Sequence, residues 1–498
     1  MKVLLVGSGG REHAIALMIS RSTYDPNLYV VSDHNNPGLS RVAKSTGGKL
    51  YRAKTTNPQE VLKVAEEVSP DVIVIGPEEP QFTGVPDLLR DKGFSVFGAS
   101  SRCAEIERSK VFARTLMWKY SIPGRLYFRA FSSLEEARRF VEYAGDVVVK
   151  PARQVGGKGV KVLRENQAYL LEEYRDVKKD FVVKLFKEMA KYVDIDAKVL
   201  IEQRVEGVEY TAMTVTDGSY VLALPLVQDH PHVYEYDIGP ETGGMGSISG
   251  PGWVLPFIEV DEFKRTIEII DNIVKALQTE VKDRYVGALA GQMMLTALWG
   301  PTVIEFYSRF GDPEISNMVP VITSDFLEMI ERTIDGRLAG YKLEIRDDIA
   351  VVVKAVAPAG YPLNKKVAAN HPISVDEGRI KELGCTLLYA SVEELGDGTL
   401  RTHGSRAFEI VCYDESHEKA SKKAELAISY IKSLDSWPLI HRSDIGSIEL
   451  LKQRHHLAMR IRRTYKARAR RGLLGTSIVW VPGKGIFFDP FASPVMTR

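Results

Sequence analysis

Cysteine is scarce in this chain: Cys103, Cys385 and Cys412 are the three among 498 residues. They stand far apart and in no metal-ligand spacing, which predicts a reducing cytoplasm and no disulfide framework. Long apolar runs are missing too. No stretch approaches the roughly 18 apolar residues of a membrane span. The opening MKVLLVGSGG has one lysine and a short apolar run, so it reads as a first β-strand and not as a signal peptide. Neither sign of charge is in excess: 66 Lys and Arg against 65 Asp and Glu leave a formal net charge of +1. That balance favours neither a membrane nor nucleic acid as the main partner. The chain contains no internal repeat, no low-complexity tract and no G-x-x-x-x-G-K-[ST] phosphate loop.

What is present is the composition of a globular protein, with 44% hydrophobic and 26% charged residues. The length predicts three or four domains. Over 1–100, apolar strands at 2–6, 28–31 and 71–76 alternate with helical patterns at 11–20 and 61–68. That alternation predicts a doubly wound parallel sheet. The texture changes over 101–325. A helix is expected at 109–122, two strands around a glycine-rich turn at 147–162, and β-patterned runs at 199–228 with a hairpin at Asp217-Gly218. Residues 229–252 show little periodicity and read as a long functional loop. A long helix at 259–279 and strands at 287–296 and 302–307 follow, the strands joined by a turn at 299–301. A smaller mixed α/β unit is expected at 326–435. Residues 436–498 form a basic extension, with nine Lys or Arg and no Asp or Glu between 452 and 471. Its expected form is a helix packed on the body with its charges in water, since such a run without interleaved aromatics argues weakly for nucleic acid.

Several stretches carry chemistry. GSGGREHA (7–14) is a glycine turn between a strand and a helix, a place where backbone N–H groups meet anions. Gly7 and Gly9 fit the dinucleotide fingerprint, but its sixth position is Glu12. An NAD site would rest on this turn and on Asp33 alone. GPEEP (76–80) places Glu78 at the carboxyl edge of the sheet, facing a sugar hydroxyl or an amine. In VVVKPARQVGGKGV, Lys150 follows three valines, and a lysine so aimed is costly without an anion. Gly156, Gly157, Lys158 and Gly159 then supply a loop able to fold over phosphates. IEQRVEGVEY adds Glu202 and Glu209, acids placed to read an adenine edge and a ribose. In VIEFYSRFGDPE (303–314), Glu305 ends an apolar strand as a hard-oxygen ligand for Mg²⁺, with Gln292 on the strand before it. Arg309 supplies a bidentate clamp for a phosphoryl group. Together these are the parts phosphoryl transfer requires.

These motifs, with SKVFA (109–113), DIGPETGGMG (237–246) and GQMMLT (291–296), resemble the ATP-grasp carboxylate–amine ligases. Within them the chain is similar to the branch that joins glycine to 5-phosphoribosylamine in purine synthesis. The resemblance spans about residues 1–435. It implies an N-terminal pre-ATP-grasp domain, a two-lobed ATP-grasp core with its small lobe at about 120–200, and a small C-terminal mixed domain. It also implies a cytoplasmic monomer that uses ATP with Mg²⁺ or Mn²⁺ and takes glycine through glycyl phosphate. Lys110 and Lys150 would contact ATP phosphates under the loop from Gly156 to Gly159. Glu202, Gln203 and Val205 would face adenine, and Glu209 the ribose. Gln292, Glu305 and Tyr307 would make the metal site. Arg309, Asp312 and Pro313, with Asp229, Gly243 and Gly244, would line the glycyl phosphate site. Gly9, Gly10, Arg11, Glu12, His13 and Glu78 would serve phosphoribosylamine. The chain departs from the pattern at Tyr307, where the family usually has Asn, in the PARQV stretch after Lys150, and in its long tail. The Tyr307 departure leaves open a nucleotide-binding protein of the same fold with lost or altered ligase activity.

Overall fold

The computed structural model describes residues 1–153, 159–179, 197–481, 485–488 and 491. The phosphate-loop residues Gly156, Gly157 and Lys158 lie outside these. At the N-terminus, five parallel strands run in the order Leu50–Arg52, Asn27–Ser32, Lys2–Val6, Val72–Ile75 and Val96–Phe97. The unbroken apolar runs in Lys2–Val6 and Val72–Ile75 are buried, as expected of parallel strands with both faces covered. The chain order reverses beside Lys2–Val6. The crevice beyond its carboxyl end, where such sheets bind ligands, therefore falls between the Gly7 turn and Glu78.

The largest sheet has ten strands. Its main path runs Gly300–Tyr307, Gly287–Thr296, Gly207–Thr216, Val227–Asp229, Gly246–Ser249, Ala350–Pro358, Phe408–Asp414 and Thr386–Tyr389. The sheet thus continues from the middle of the chain into the C-terminal third through the pairing of Gly246–Ser249 with Ala350–Pro358. One apolar layer joins Val3 and Leu5 of the first sheet to Met213, Val215, Val351 and Leu388 of the large one. A separate antiparallel sheet, Phe128–Phe131, Val199–Gln203, Val147–Pro151 and Lys161–Leu163, forms a small lobe with its own core around Phe140, Val149 and Ile201.

The long helix and both expected hairpins form. The helix is Val260–Val281. Asp217 Oδ1 accepts the N–H groups of Ser219 and Tyr220, and Gly218 turns at φ +86°. Three expectations are corrected. Residues 229–252 are not a loop: they hold His232–Tyr234, Ile238–Glu241 and Gly246–Ser249. Strands of three or four residues are too short to display a period of two, and Gly246–Ser249 takes its pairing from strand Ala350–Pro358, about a hundred residues later. Cys385 and Cys412 form a disulfide, with Cα atoms 4.5 Å apart. Twenty-seven residues separate them in the chain, but the pairing Thr386↔Val411 brings them face to face. The tail is indeed a packed helix, Ile448–Arg470, but its charges are not all in water. Arg462 is buried and grips both oxygens of buried Glu262 at 2.7 Å, and Arg454 pairs with Asp237.

Candidate active site

A cavity of about 380 Å³ opens where the N-terminal sheet, the large sheet and the small lobe meet. Arg11 and Glu78 reach it from the crevice of the first sheet, and Lys150, Glu202, Gln203 and Val205 from the small lobe. The large sheet supplies Glu209, Asp229, Gln292, Glu305 and Tyr307. Register explains this clustering. Thr211 pairs with Gln292, and Gln292 with Glu305, so distant strands place their polar residues side by side. Arg309, Asp312 and Gly243 complete the wall.

On the small-lobe side, Lys150 Nζ lies 2.8 Å from Glu202 Oε2 and donates to the Ile304 carbonyl at 3.1 Å. Arg114 Nε holds the other Glu202 oxygen at 2.5 Å. Burial alone would raise the Glu202 carboxyl, but Arg114 and Lys150 outweigh it and bring the pKa to about 2. Glu202 is therefore an anion that aims Lys150. Lys110 Nζ lies 3.6 Å from Glu305 Oε2, beside the main cavity, and burial lowers its pKa.

The expected metal residues are gathered but differ in kind. Glu305 is kept below the ordinary range despite burial, by Lys110 and Lys150. Tyr307 donates its phenol to Glu305 Oε1 at 2.8 Å. Burial and Glu305 push the Tyr307 pKa far up, so it acts here as a neutral donor. Gln292 turns its Nε2 to Asp229 (3.1 Å) and Glu209 (3.4 Å), while its carbonyl accepts from Thr211 at 2.7 Å. Glu241 also lines this wall. Burial, then the Glu209 carboxylate, raise Asp229 to about 7, and burial, then Glu305, raise Glu241 to about 7. Crowded hard-oxygen donors short of positive charge fit a divalent cation. Among the described residues no group of three or more His, Cys, Asp or Glu could hold a metal by itself. The donors present fit a divalent cation that takes one or two protein carboxylates and completes its shell with other oxygens.

On the wall formed after Glu305, the Arg309 guanidinium stacks over the Tyr307 ring at 4.4 Å. It bridges Glu78 (3.2 Å) and Glu107 (3.3 Å). Asp312 is gripped by Arg406 at 2.7 Å, and the same guanidinium donates to the carbonyls of Gly243 (2.9 Å) and Gly244 (2.8 Å). Gly244 has φ +107°, and a Cβ there would stand 2.7 Å from Pro313 Cδ, so glycine is required at this junction. Behind Asp312 lies Glu409, fully buried, with Ser316 Oγ donating to its Oε2 at 2.5 Å. Burial and the Asp312 charge push the Glu409 carboxyl well up. Arg114, Arg406 and Glu409 were not singled out from sequence. One signal existed for Glu409, an acid inside the apolar strand FEIVC, the same signal that marks Glu305.

The N-terminal turn is divided. Arg11 lines the cavity, and its Nη1 lies 3.7 Å from Glu78. Glu12 instead folds back, its Oε2 accepting the Gly9 N–H at 2.7 Å, and a Cβ on Gly7 or Gly76 would strike it. This carboxylate sits where a dinucleotide's pyrophosphate would approach. Asp33, the other support for an NAD site, is taken by Ser8 and Thr55. His13 Nδ1 accepts the Tyr389 backbone N–H at 2.9 Å, and Gly10 packs on Glu409. These two join the first sheet to the C-terminal third and stand off the cavity.

A doubly wound N-terminal sheet, a pair of antiparallel lobes and a cavity of lysines and carboxylates between them define an ATP-grasp enzyme. More narrowly, the chain belongs to the phosphoribosylglycinamide synthetase family. The family's N domain matches residues 1–107, its ATP-grasp domain 108–315 and its C domain 351–448. The chain is 40% identical over 468 residues to phosphoribosylamine–glycine ligase of Pyrococcus horikoshii, covering 94% of this chain and 99% of that one. It is 41% identical over 468 residues to the ligase of the same name from Methanocaldococcus jannaschii, covering 93% and 100%. The crystal structure of phosphoribosylamine–glycine ligase from Thermotoga maritima superposes with a TM-score of 0.71 at 27% identity, covering 89% of this chain and 100% of that chain.

Proposed function

We propose that this protein ligates glycine to 5-phosphoribosylamine, converting ATP to ADP and phosphate and yielding glycinamide ribonucleotide for purine synthesis. The relatives' shared name supports this reading over one of lost activity. The observation that carries it is the convergence on one cavity of Arg11 and Glu78, of Lys150, and of Glu305, Arg309 and Asp312, from three parts of the fold. The glycine carboxylate attacks the γ-phosphate, giving glycyl phosphate and ADP. The sugar amine then attacks the acyl carbon, and phosphate leaves as the C–N bond forms. Lys110 and Lys150 neutralise the phosphates. Arg309 faces the charge that develops on the phosphoryl group, Asp312 and the Gly243–Gly244 backbone orient glycine, and Arg11 and Glu78 meet the phosphoribosylamine. A divalent cation, Mg²⁺ or Mn²⁺, would be held by Glu305 with Gln292 and Tyr307 beside it, and would supply charge neutralisation between ATP phosphates. We place the enzyme in the cytoplasm as a monomer. Among the described residues no helix is long and apolar enough to cross a membrane. We divide the chain into domains at 1–100, 101–325, 326–435 and 436–498.

The test is ADP release with Mg²⁺, ATP, glycine and phosphoribosylamine generated in situ, each omitted in turn. Turnover that survives without glycine would sink the proposal. Tyr307→Asn, run in parallel, is expected to remain active, because Glu305 keeps its two lysines.

A further inference from the structure

The small lobe carries Lys150, Glu202 and the segment 203–205, yet its sheet shares no strand with the large one. Its position over the cavity must come from side chains and chain crossings. One set of contacts runs inside the site, from Lys150 and Arg114 to the Ile304 carbonyl. A second set runs through the C-terminal extension, which sequence reading left without a role.

The extension is first anchored to the large sheet. Ala458, Ile461 and Tyr465 are buried in the core that contains Tyr210, Leu295 and Val303. Tyr465 Oη donates to Glu262 Oε1 at 2.6 Å, and its ring faces Gly300. After the helix the chain reaches the junction of the lobes. The Gly475 N–H donates to the Leu298 carbonyl at 2.8 Å, at the tip of the large-sheet hairpin. Gly475 has φ +71°, and a Cβ there would lie 2.0 Å from Trp299 Cζ2, so its backbone lies flat on the indole. The Gly475 carbonyl accepts from Tyr127 Oη at 3.3 Å, beside the first small-lobe strand. Two residues on, Ser477 Oγ accepts from Gln203 Nε2 at 2.7 Å. Farther along, the Phe491 ring meets Phe140 edge-on at 4.9 Å in the small-lobe core. One continuous stretch of chain thus touches the large sheet, the junction and the small lobe in turn.

We propose that the C-terminal extension is a strap that sets the small lobe over the nucleotide, with Gly475 and Ser477 as positioning residues for the cavity-lining segment 203–205. The proposal rests on the reading above only for the nucleotide being ATP. Gln203 ends strand Val199–Gln203, and Val205 follows two residues later on the cavity wall. A shift of Gln203 therefore moves the backbone that faces the adenine.

The experiment uses the full chain with Ser477→Ala, Gly475→Val and, as control, Lys466→Ala, whose partner Glu259 lies on the surface of the large lobe. ADP affinity is read by calorimetry, and KM is measured separately for ATP and for glycine. Ser477→Ala is expected to weaken ADP binding about fivefold, the worth of one net hydrogen bond. Gly475→Val is expected to weaken it by more, with KM for ATP rising in step. KM for glycine and kcat at saturating ATP should stay near normal, and Lys466→Ala should match the unaltered protein. A merely structural extension would lower Tm without separating the two KM values. Wild-type ADP affinity in Ser477→Ala and in a folded Gly475→Val would overturn the strap. If Gly475→Val does not fold, Ser477→Ala decides by itself. Failure of the ligase reading would appear elsewhere, as absence of glycine-dependent ADP release from the unaltered chain, and the ADP titration would still judge the strap.

Discussion

Arg309 lies between Glu78 and Glu107 and stacks on Tyr307, so its planar fork is fixed before any substrate arrives. Preorganised charge of this kind acts on the transition state without reorganisation cost. Arg309→Ala is expected to lower kcat by a factor of 10² to 10³, about 3 kcal/mol of barrier, in steady-state ADP release. Arg309→Lys should not restore it, because a point charge cannot serve two carboxylates and a ring face. The Glu409 carboxyl, pushed well up by burial and by the neighbouring Asp312 charge, gives a second prediction. Glu409→Gln keeps one acceptor for Ser316, and should retain near-normal kcat. Glu409→Ala leaves the buried Ser316 hydroxyl without its acceptor beside Asp312, and should lose about tenfold, the range for one stranded buried donor. Equal damage from both would mean that Glu409 only fills space. At this scale the place of Lys150, Glu305 and Arg309 on the cavity wall was legible, since each breaks an apolar or glycine-rich pattern in its own segment. Arg406 and Arg114 were not. Their roles come from carboxylates 94 and 88 residues away in the chain, and no local pattern encodes such a partner.

Among the elements, the helix Ile448–Arg470 shows how charge in a sequence can mislead. Nine basic residues in 452–471 suggest a solvated face. In the fold, Arg462 is buried against Glu262, whose Oε2 also accepts the Glu259 N–H at the start of helix Val260–Val281. The ion pair therefore caps one helix with a residue from another. Arg462→Ala is expected to cost about 3 kcal/mol, the range for stranding one partner of a buried pair, seen as a lowered urea midpoint at unchanged m-value. Arg462→Ala combined with Glu262→Gln should recover part of the loss. If the double variant is no better than the single, the pair is not what holds the helix. Strands of the N-terminal sheet and the hairpin at Asp217-Gly218 were read correctly because their patterns are local and long enough to repeat. Of the short strands between 229 and 252, His232–Tyr234 and Ile238–Glu241 pair with each other but are too short to show a period, and Gly246–Ser249 depends on pairing with distant Ala350–Pro358.

For the molecule as a whole, buried imidazoles set a pH response. His417 is buried, its Nε2 bonded to the Ser249 carbonyl at 3.1 Å, and burial lowers its pKa to about 4. Unfolded, the same imidazole titrates near 6.5. Between those values the unfolded chain binds the extra proton. The contribution of His417 is therefore complete above about pH 6.5 and is lost as pH falls towards 4. His417→Gln, which keeps a donor for Ser249, should show a shallower fall in calorimetric Tm from pH 7 to pH 5 than the parent protein. Parallel curves would show that this imidazole does not govern the response.

The sequence by itself determined the doubly wound N-terminal sheet, the placing of a lysine and an acid, Lys150 and Glu305, on otherwise apolar strands that reach the cavity, and the resemblance to ATP-grasp ligases. Each of these depends on spacing within a few residues, where backbone periodicity and side-chain chemistry are fixed before folding is complete. Tertiary structure alone decided that Cys385 meets Cys412, that Glu12 fills its own glycine turn, that Glu202 is a buried counter-ion for Lys150, and that the tail reaches the junction of the lobes. These depend on strand order and on which residues face one another across a sheet. A register is a property of two segments, so no single segment can announce it.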